Sequence, residues 1–212
     1  GMAADQVFAG LYGAIIVEDG DPIPATTERV LVMSDISLQT DGNVAGANMM
    51  SKMMGREGDI LLLNGQVQPT YSSEQNALER WRIVNSCTSR YMKLSIPGGT
   101  ATLLGKDSGR YAQPQQVTEF TLAPGNRADI LVQFGSEPVS LSYTTVPHPD
   151  AMMMGSTTTY TDYPLAQFVP TGNTAQALAV PTSQTPGPDL RSETVANQRS
   201  FALNMPGMGG MG

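Results

Sequence analysis

Residues 122–132 read Leu-Ala-Pro-Gly-Asn-Arg-Ala-Asp-Ile-Leu-Val, which combines a turn signal with a strand signal. Pro124-Gly125 favours a tight turn, because proline presets its own backbone angle and glycine tolerates a positive φ. Beyond the turn, charged residues alternate with apolar ones, as expected for a strand with one exposed face. Arg127 and Asp129 should therefore share a face of that strand and pair with neighbours there.

The same alternation of turns and short strands continues on both sides of this segment. We predict strands at 12–18, 28–36, 59–64, 79–85, 92–96, 101–104, 117–122, 127–133, 140–144 and 165–169. Residues 40–58 are interpreted as a long loop or short helix, residues 170–200 as a surface linker, and residues 201–204 as the start of another strand. This spacing indicates an all-β, antiparallel β-sandwich with Trp81, Ile83, Leu94 and Ile130 in its core.

Composition excludes several classes of partner. The 212 residues are 40% hydrophobic and 15% charged, which is enough apolar material for a packed core. The net charge of −7 argues against nucleic acid, and no basic run or long apolar run points to a membrane. A single cysteine excludes an internal disulfide. We therefore expect neither nucleic acid nor a membrane as a partner.

Four segments, taken in order, carry a family resemblance. They are Asp5-Gln-Val-Phe-Ala-Gly-Leu-Tyr-Gly-Ala-Ile-Ile-Val17, Leu63-Asn-Gly65, Arg80-Trp-Arg-Ile-Val-Asn85 and the 122–132 segment. Together they resemble the multicopper oxidases, which implies a cupredoxin-like Greek-key β-sandwich. In a three-domain, laccase-like member, residues 1–24 would be the closing strands of a truncated domain 1. Residues 25–169 would be a complete domain 2, and residues 170–212 a linker and the start of a missing domain 3.

The resemblance also implies a chemistry that this chain does not carry by itself. Complete members couple one-electron oxidation of a substrate to the reduction of dioxygen to water, with copper held mainly by histidine. No position here matches a copper-ligand motif, so no catalytic or cofactor-binding residue is assigned. The chain is expected to be an inactive, copper-free scaffold portion of such an oxidoreductase, secreted or periplasmic by resemblance. The alternative is a self-standing β-sandwich for binding or assembly, with no redox role.

Two residues were weighed as copper ligands and set aside. A blue-copper centre needs two histidines, a cysteine thiolate and usually a methionine, whereas this chain has one histidine. Cys87 is therefore predicted to be a small buried hydrophobe. His148, flanked by two prolines, is predicted to be an ordinary exposed loop residue.

The methionine clusters are the remaining metal candidates. Thioethers are soft ligands that suit Cu(I), and a helical 49–54 segment would place several sulfurs on one face. Met also fills gaps at domain contacts, and this is the interpretation that we favour. The Cu(I) candidates are Met49, Met50, Met53, Met54, Met152, Met153 and Met154; a third cluster is Met205, Met208 and Met211.

The N-terminal segment also predicts a partner. Residues 5–18 resemble strands of a domain whose body is absent, so their edges need something to pair with. We therefore expect a homo-oligomer formed through these strand edges.

Overall fold

The computed structural model describes residues 3–18, 20, 22–49, 51, 55–146, 161–185 and 187–202. Its regular elements are one short helix, eleven strands and one 3-10 turn. They are α1 (Ala3–Phe8), β1 (Thr27–Ile36), β2 (Ile60–Leu63), β3 (Thr70–Gln75), β4 (Leu78–Asn85), β5 (Met92–Ser95), β6 (Thr100–Lys106), β7 (Gly109–Val117), β8 (Glu119–Leu122), β9 (Arg127–Gln133), β10 (Val139–Thr144), β11 (Asp162–Thr174) and a 3-10 turn at Leu190–Ser192.

The strands form two sheets packed face to face, which confirms the all-β sandwich. One sheet has six strands in the order β2-β1-β4-β9-β6-β7, and the other has five in the order β3-β11-β10-β5-β8. The prediction of antiparallel pairing is wrong for two pairs, β1–β4 and β3–β11, which are parallel. Both pairs join strands that are distant in sequence, as parallel pairing requires, so no hairpin signal announces them.

The space between the sheets holds a continuous hydrophobic core. Trp81, Ile83, Leu94 and Ile130 are all fully buried, which confirms their predicted positions. The indole ring of Trp81 stacks on the ring of Phe168 from the opposite sheet, with centroids 4.2 Å apart. Each such side chain contributes roughly 1.5–3 kcal/mol relative to an exposed position.

The predicted strand at 12–18 is wrong. These residues follow α1 in an extended conformation but belong to neither sheet, and the side chains of Ile15 and Val17 are 92% and 81% exposed. Their apolar composition is that of a buried strand, yet within the described residues no strand lies beside them.

Strands β3 and β7 escaped prediction because both lie at sheet edges. An edge strand needs no apolar alternation, and it often carries polar residues or proline that discourage pairing with other chains. β3 reads Thr-Tyr-Ser-Ser-Glu-Gln, and β7 carries Pro114 between polar neighbours. Val117 ends β7 and Glu119 begins β8, so the single strand predicted at 117–122 is a corner between two sheets.

Two predicted loop regions also differ in detail. Strand β11 continues past Pro170 to Thr174, so the expected linker begins later than predicted. Within the part of 40–58 that the structure describes, helical backbone occurs only at Met49 and Ser51. The strand expected at 201–204 falls mostly outside the described residues, and Phe201 and Ala202 are not in a strand.

Candidate functional site

The structure describes only one of the methionine candidates. Met49 lies at the surface with 79% of its side chain exposed. Met50, Met53, Met54, Met152, Met153 and Met154 lie outside the described residues, as do His148 and the C-terminal methionines. A Cu(I) site at these clusters therefore stays a prediction.

The described residues do not fit a copper centre. Among them, no group of three or more His, Cys, Asp or Glu side chains is placed to hold a metal ion. Cys87 is buried, which confirms its predicted place in the core. Burial raises the pKa of its thiol, and the charge of Asp35 raises that pKa further, so the thiolate that copper needs is disfavoured.

A buried ion pair that the sequence analysis missed lies beside Cys87. The carboxylate of Asp35 is 1% exposed and accepts hydrogen bonds from Arg90 Nε at 2.9 Å and from the Gly58 N–H at 2.8 Å. Arg90 also donates to the Tyr143 hydroxyl, at 3.2 Å, and to the Gly58 carbonyl, at 2.7 Å. Burial alone would lower the pKa of Arg90, but its hydrogen bonds to Asp35 and Tyr143 raise that pKa overall.

One sequence signal does point to this pair. Asp35 follows Leu31 and Met33 at intervals of two in β1, so it occupies a core-facing position. A carboxylate at such a position requires a buried cation. The sequence does not say which arginine supplies it, because Arg90 is 55 residues away and outside any strand.

A groove of about 470 Å³ opens beside the Asp35–Arg90 pair, between β2 and the strands β10 and β11. The rings of Tyr143 and Tyr163 stack along its wall, with centroids 6.3 Å apart. Arg90 reaches the groove, but its guanidinium already contacts Asp35, Glu57, Tyr143 and the Gly58 carbonyl. The groove therefore presents mostly aromatic and aliphatic walls, and no catalytic role follows from it.

The charged residues of the 80–85 and 122–132 segments pair with each other. Arg80 donates to both carboxylate oxygens of Asp129, at 2.9 and 2.6 Å, and to Glu28 at 3.0 Å. This bidentate contact lies on the outer face of the six-stranded sheet, where β4 and β9 are neighbours. Arg127, on the same face, forms an ion pair with Asp107 at 3.2 Å. The predicted pairing of Arg127 and Asp129 with neighbours is confirmed.

A second ion pair ties the two sheets together. Glu79 is 1% exposed and accepts hydrogen bonds from Arg29 at 2.7 and 2.9 Å and from the Trp81 indole at 2.8 Å. Arg29 in turn donates to the carbonyl of Ser72 in the opposite sheet, at 2.6 Å. The charge alternation in Glu-Arg-Trp-Arg thus serves both faces of β4.

The two segments also meet at the turn. The side-chain amide of Asn85 is fully buried and donates to the carbonyls of Arg90 and Leu122, both at 2.9 Å. The Asn85 carbonyl accepts from the N–H of Gly125, at 2.9 Å, where a φ of 81° requires glycine. The predicted Pro-Gly turn is confirmed, and Asn85 locks it in place.

The N-terminal segment crosses the outer face of the six-stranded sheet. The guanidinium of Arg56 lies 3.6 Å from the centre of the Phe8 ring and pairs with Asp5 at 3.0 Å. The Tyr12 hydroxyl donates to Ser34 of β1 at 2.6 Å, and Glu18 lies 3.6 Å from Arg82 of β4. These contacts attach the segment at its beginning, middle and end.

A small apolar cluster completes this outer layer. Leu78, Leu104 and Leu131 project from the outer sheet face and are covered by Ile23, Ala25, Leu178 and Val180. The Gln184 side chain donates to the carbonyls of Leu104 and Tyr111, at 2.9 and 3.0 Å. The chain before β1 and the chain after β11 therefore pack side by side on one face. No helix in the described part of the chain is long and apolar enough to cross a membrane.

Comparison with known proteins agrees with this architecture. The chain is 29% identical to a laccase of Bacillus subtilis over 145 residues, covering 61% of this chain and 28% of the laccase. It is 33% identical to the cell division protein FtsP of Salmonella typhimurium over 137 residues, covering 61% of this chain and 28% of FtsP. The crystal structure of the McoA multicopper oxidase from Aquifex aeolicus superposes with a TM-score of 0.74 at 25% identity.

The extent of these matches is partial. The superposition covers 90% of this chain but 44% of the McoA chain, and the chain spans less than a third of the two curated relatives. Its fold is the cupredoxin-like sandwich of these proteins, as the resemblance implied. The family model for multicopper oxidases matches residues 29–163. The chain belongs to the multicopper oxidase family.

Proposed function

We propose that this chain is the copper-free scaffold portion of a multicopper oxidase. The observation that carries the proposal is that the charged family residues are used within the fold. Arg29 pairs with Glu79, Arg80 with Asp129, and Arg90 with Asp35. A scaffold domain keeps such residues for packing and for holding its neighbours at a fixed spacing. The boundaries 1–24, 25–169 and 170–212 are part of this proposal.

The reaction belongs to the proposed complete enzyme rather than to this chain alone. There, one-electron oxidation of a reducing substrate would be coupled to reduction of dioxygen to water, on copper held by other segments. Copper centres of that kind need histidine and thiolate ligands. The name of the Bacillus subtilis relative, laccase, supports this reaction class. The resemblance also supports placement outside the cytoplasm, secreted or periplasmic.

The direct test is oxygen consumption by the chain after copper loading. The purified protein is incubated with copper, freed of excess metal and mixed with a phenolic reductant in an oxygen-electrode cell. Protein kept free of copper and buffer with an equal amount of free copper serve as controls. We expect the loaded protein to match the free-copper control and to lack a blue absorption band. Oxygen uptake above that control, or a blue band, would overturn the proposal.

A second candidate is an assembly module with no redox role. The cell division protein FtsP, at 33% identity, favours it, because its printed role is not that of an oxidase. The two candidates separate by sequencing the gene on both sides of this segment. Flanking histidine-rich copper motifs support the oxidase scaffold, whereas flanks without them support the assembly module.

A further inference from the structure

The N-terminal segment presents an apolar ridge to solvent. In the extended run 11–17, the side chains of Leu11, Ile15 and Val17 are 69%, 92% and 81% exposed. Successive side chains of an extended segment point in opposite directions, so the odd-numbered ones share a face. The even-numbered Tyr12 faces the sheet and bonds to Ser34. The ridge is thus the outward face of a segment that is anchored on its other side.

The backbone of this segment is also unpaired. Within the described chain, residues 13–17 make no backbone hydrogen bond, although Tyr12 and the residues before it do. An extended run with free N–H and C=O groups and an apolar face is a template for another strand. The shape that completes it is therefore a β-strand rather than a helix or a small molecule.

Charge and strand composition identify the occupant. No charged residue lies between Asp5 and Glu18, so the complementary strand is neutral and apolar. Two of the described sheet edges do not match: β7 carries Pro114 and several glutamines, and β8 is four residues long with Glu119 paired to Lys93. A second copy of residues 11–17 supplies both features, and two identical strands pair antiparallel about a two-fold axis.

We propose that residues 11–17 are a dimerisation strand that pairs with the same segment of a second copy of this chain. The pairing places the apolar ridges of both copies against each other and satisfies the free backbone groups. It needs no contribution from a copper site, so it is independent of the proposed scaffold role. Because each chain carries a net charge of −7, the copies repel at long range, and salt should strengthen their association.

The test measures mass and amide exchange. Sedimentation equilibrium of the full chain should give a concentration-dependent mass that rises towards twice the 22.5 kDa monomer, with more dimer at higher salt. The double variant Ile15→Lys/Val17→Lys should remain at the monomer mass. The matched control Val195→Lys/Phe201→Lys adds the same charge at equally exposed apolar positions and should dimerise like the parent chain.

Hydrogen exchange keeps the test decisive if a variant misfolds. In the unmodified chain, the amides of residues 13–17 should gain protection as protein concentration rises, because their N–H groups become bonded in the dimer. The amides of residues 194–198 provide an internal comparison that should not change. A monomer mass at every concentration, unchanged exchange at 13–17, loss of dimer at high salt, or a dimeric lysine variant would each overturn the proposal.

Discussion

Arg80 and Asp129 show how much of this fold rests on single side chains. The guanidinium is nearly buried, and both its Nε and Nη2 groups reach the Asp129 carboxylate, across neighbouring strands. The paired carboxylates hold the pKa of Arg80 above its ordinary value. Removing one partner of such a pair leaves a desolvated charge without its counter-ion, which costs more than the pair itself contributes.

Asp129→Asn should therefore destabilise the chain. The variant keeps the shape of the side chain but removes its charge, and we expect a loss of about 1–3 kcal/mol, moderated by the partial exposure of Asp129. Urea unfolding followed by tryptophan fluorescence measures this change. Glu119→Gln is the matched control, since its pair with Lys93 is solvent-exposed and should change the free energy of unfolding by less than about 1 kcal/mol. Equal losses in the two variants would contradict this account.

The Cys87 thiol predicts how stability depends on alkaline pH. Burial raises its pKa in the folded chain above the ordinary value of 9.0, and the pKa of Tyr143 is raised above 10.0 for the same first reason. A group with a raised folded pKa contributes stability that is complete below its unfolded pKa. That contribution is lost as pH rises above it, because the unfolded chain then releases its proton first.

We expect the free energy of unfolding to fall between neutral pH and about pH 10, and to fall less in Cys87→Ala. Tyr143 is unchanged in the variant, so the difference between the two slopes isolates the thiol. Urea unfolding across this pH range provides the measurement. Labelling by a small thiol reagent in the folded chain should also be far slower than in urea. Parallel pH profiles for the two proteins would show that Cys87 does not retain its proton on folding.

At the residue scale, sequence reasoning reached positions but not partners. The pattern places Arg127 and Asp129 on one face, and the structure agrees. That Asp129 contacts Arg80, 49 residues earlier, depends on which strands are neighbours, and local periodicity carries no such information. The Asp35–Arg90 pair was missed for the same reason.

Among the elements, the connection before β2 depends on one glycine. Gly58 lies between Asp35 and Arg90, donating to the first and accepting from the second. A Cβ atom added there would lie 2.3 Å from the backbone nitrogen of Ile36, which is far inside contact distance. The backbone of β1 cannot yield without disturbing its pairing with β2 and β4.

Gly58→Ala should accordingly cost about 1–3 kcal/mol or more through overpacking. Thermal unfolding and urea unfolding should both report the loss. Gly46→Ala, in the same loop region, is the matched control because an added Cβ there meets no atom within 4 Å. If the two alanine variants are equally stable, the close approach at Gly58 is not a constraint.

The elements also show why most strands were predictable and some were not. Core strands such as β4 and β9 alternate because each has a buried inner face, so their pattern is visible locally. Strands β3 and β7 are edges, where the sheet supplies hydrogen bonds without demanding apolar residues. The 12–18 segment is the opposite case, since it has strand composition but no neighbour in the described chain.

For the whole molecule, stability should come from the sandwich itself. A continuous core joins the two sheets, and three buried or half-buried ion pairs use Arg29, Arg80 and Arg90. A ligand that binds the native state raises the melting temperature by mass action, whereas a ligand without a native site does not. Copper dependence of the melting temperature therefore reports whether the folded chain holds the metal.

We expect the same melting temperature, Tm, in the presence of a chelator and in the presence of stoichiometric Cu(II), because the core and ion pairs are complete without a metal. Cu(I) under reducing conditions is measured separately, since the methionine clusters are soft donors. The comparison variant replaces Met49, Met50, Met53 and Met54 by leucine, which conserves volume and apolarity. A rise in Tm with Cu(I) that disappears in this variant would locate a thioether site at the first cluster. A rise with Cu(II) would contradict a copper-free scaffold, because it requires a native site that holds the oxidised metal.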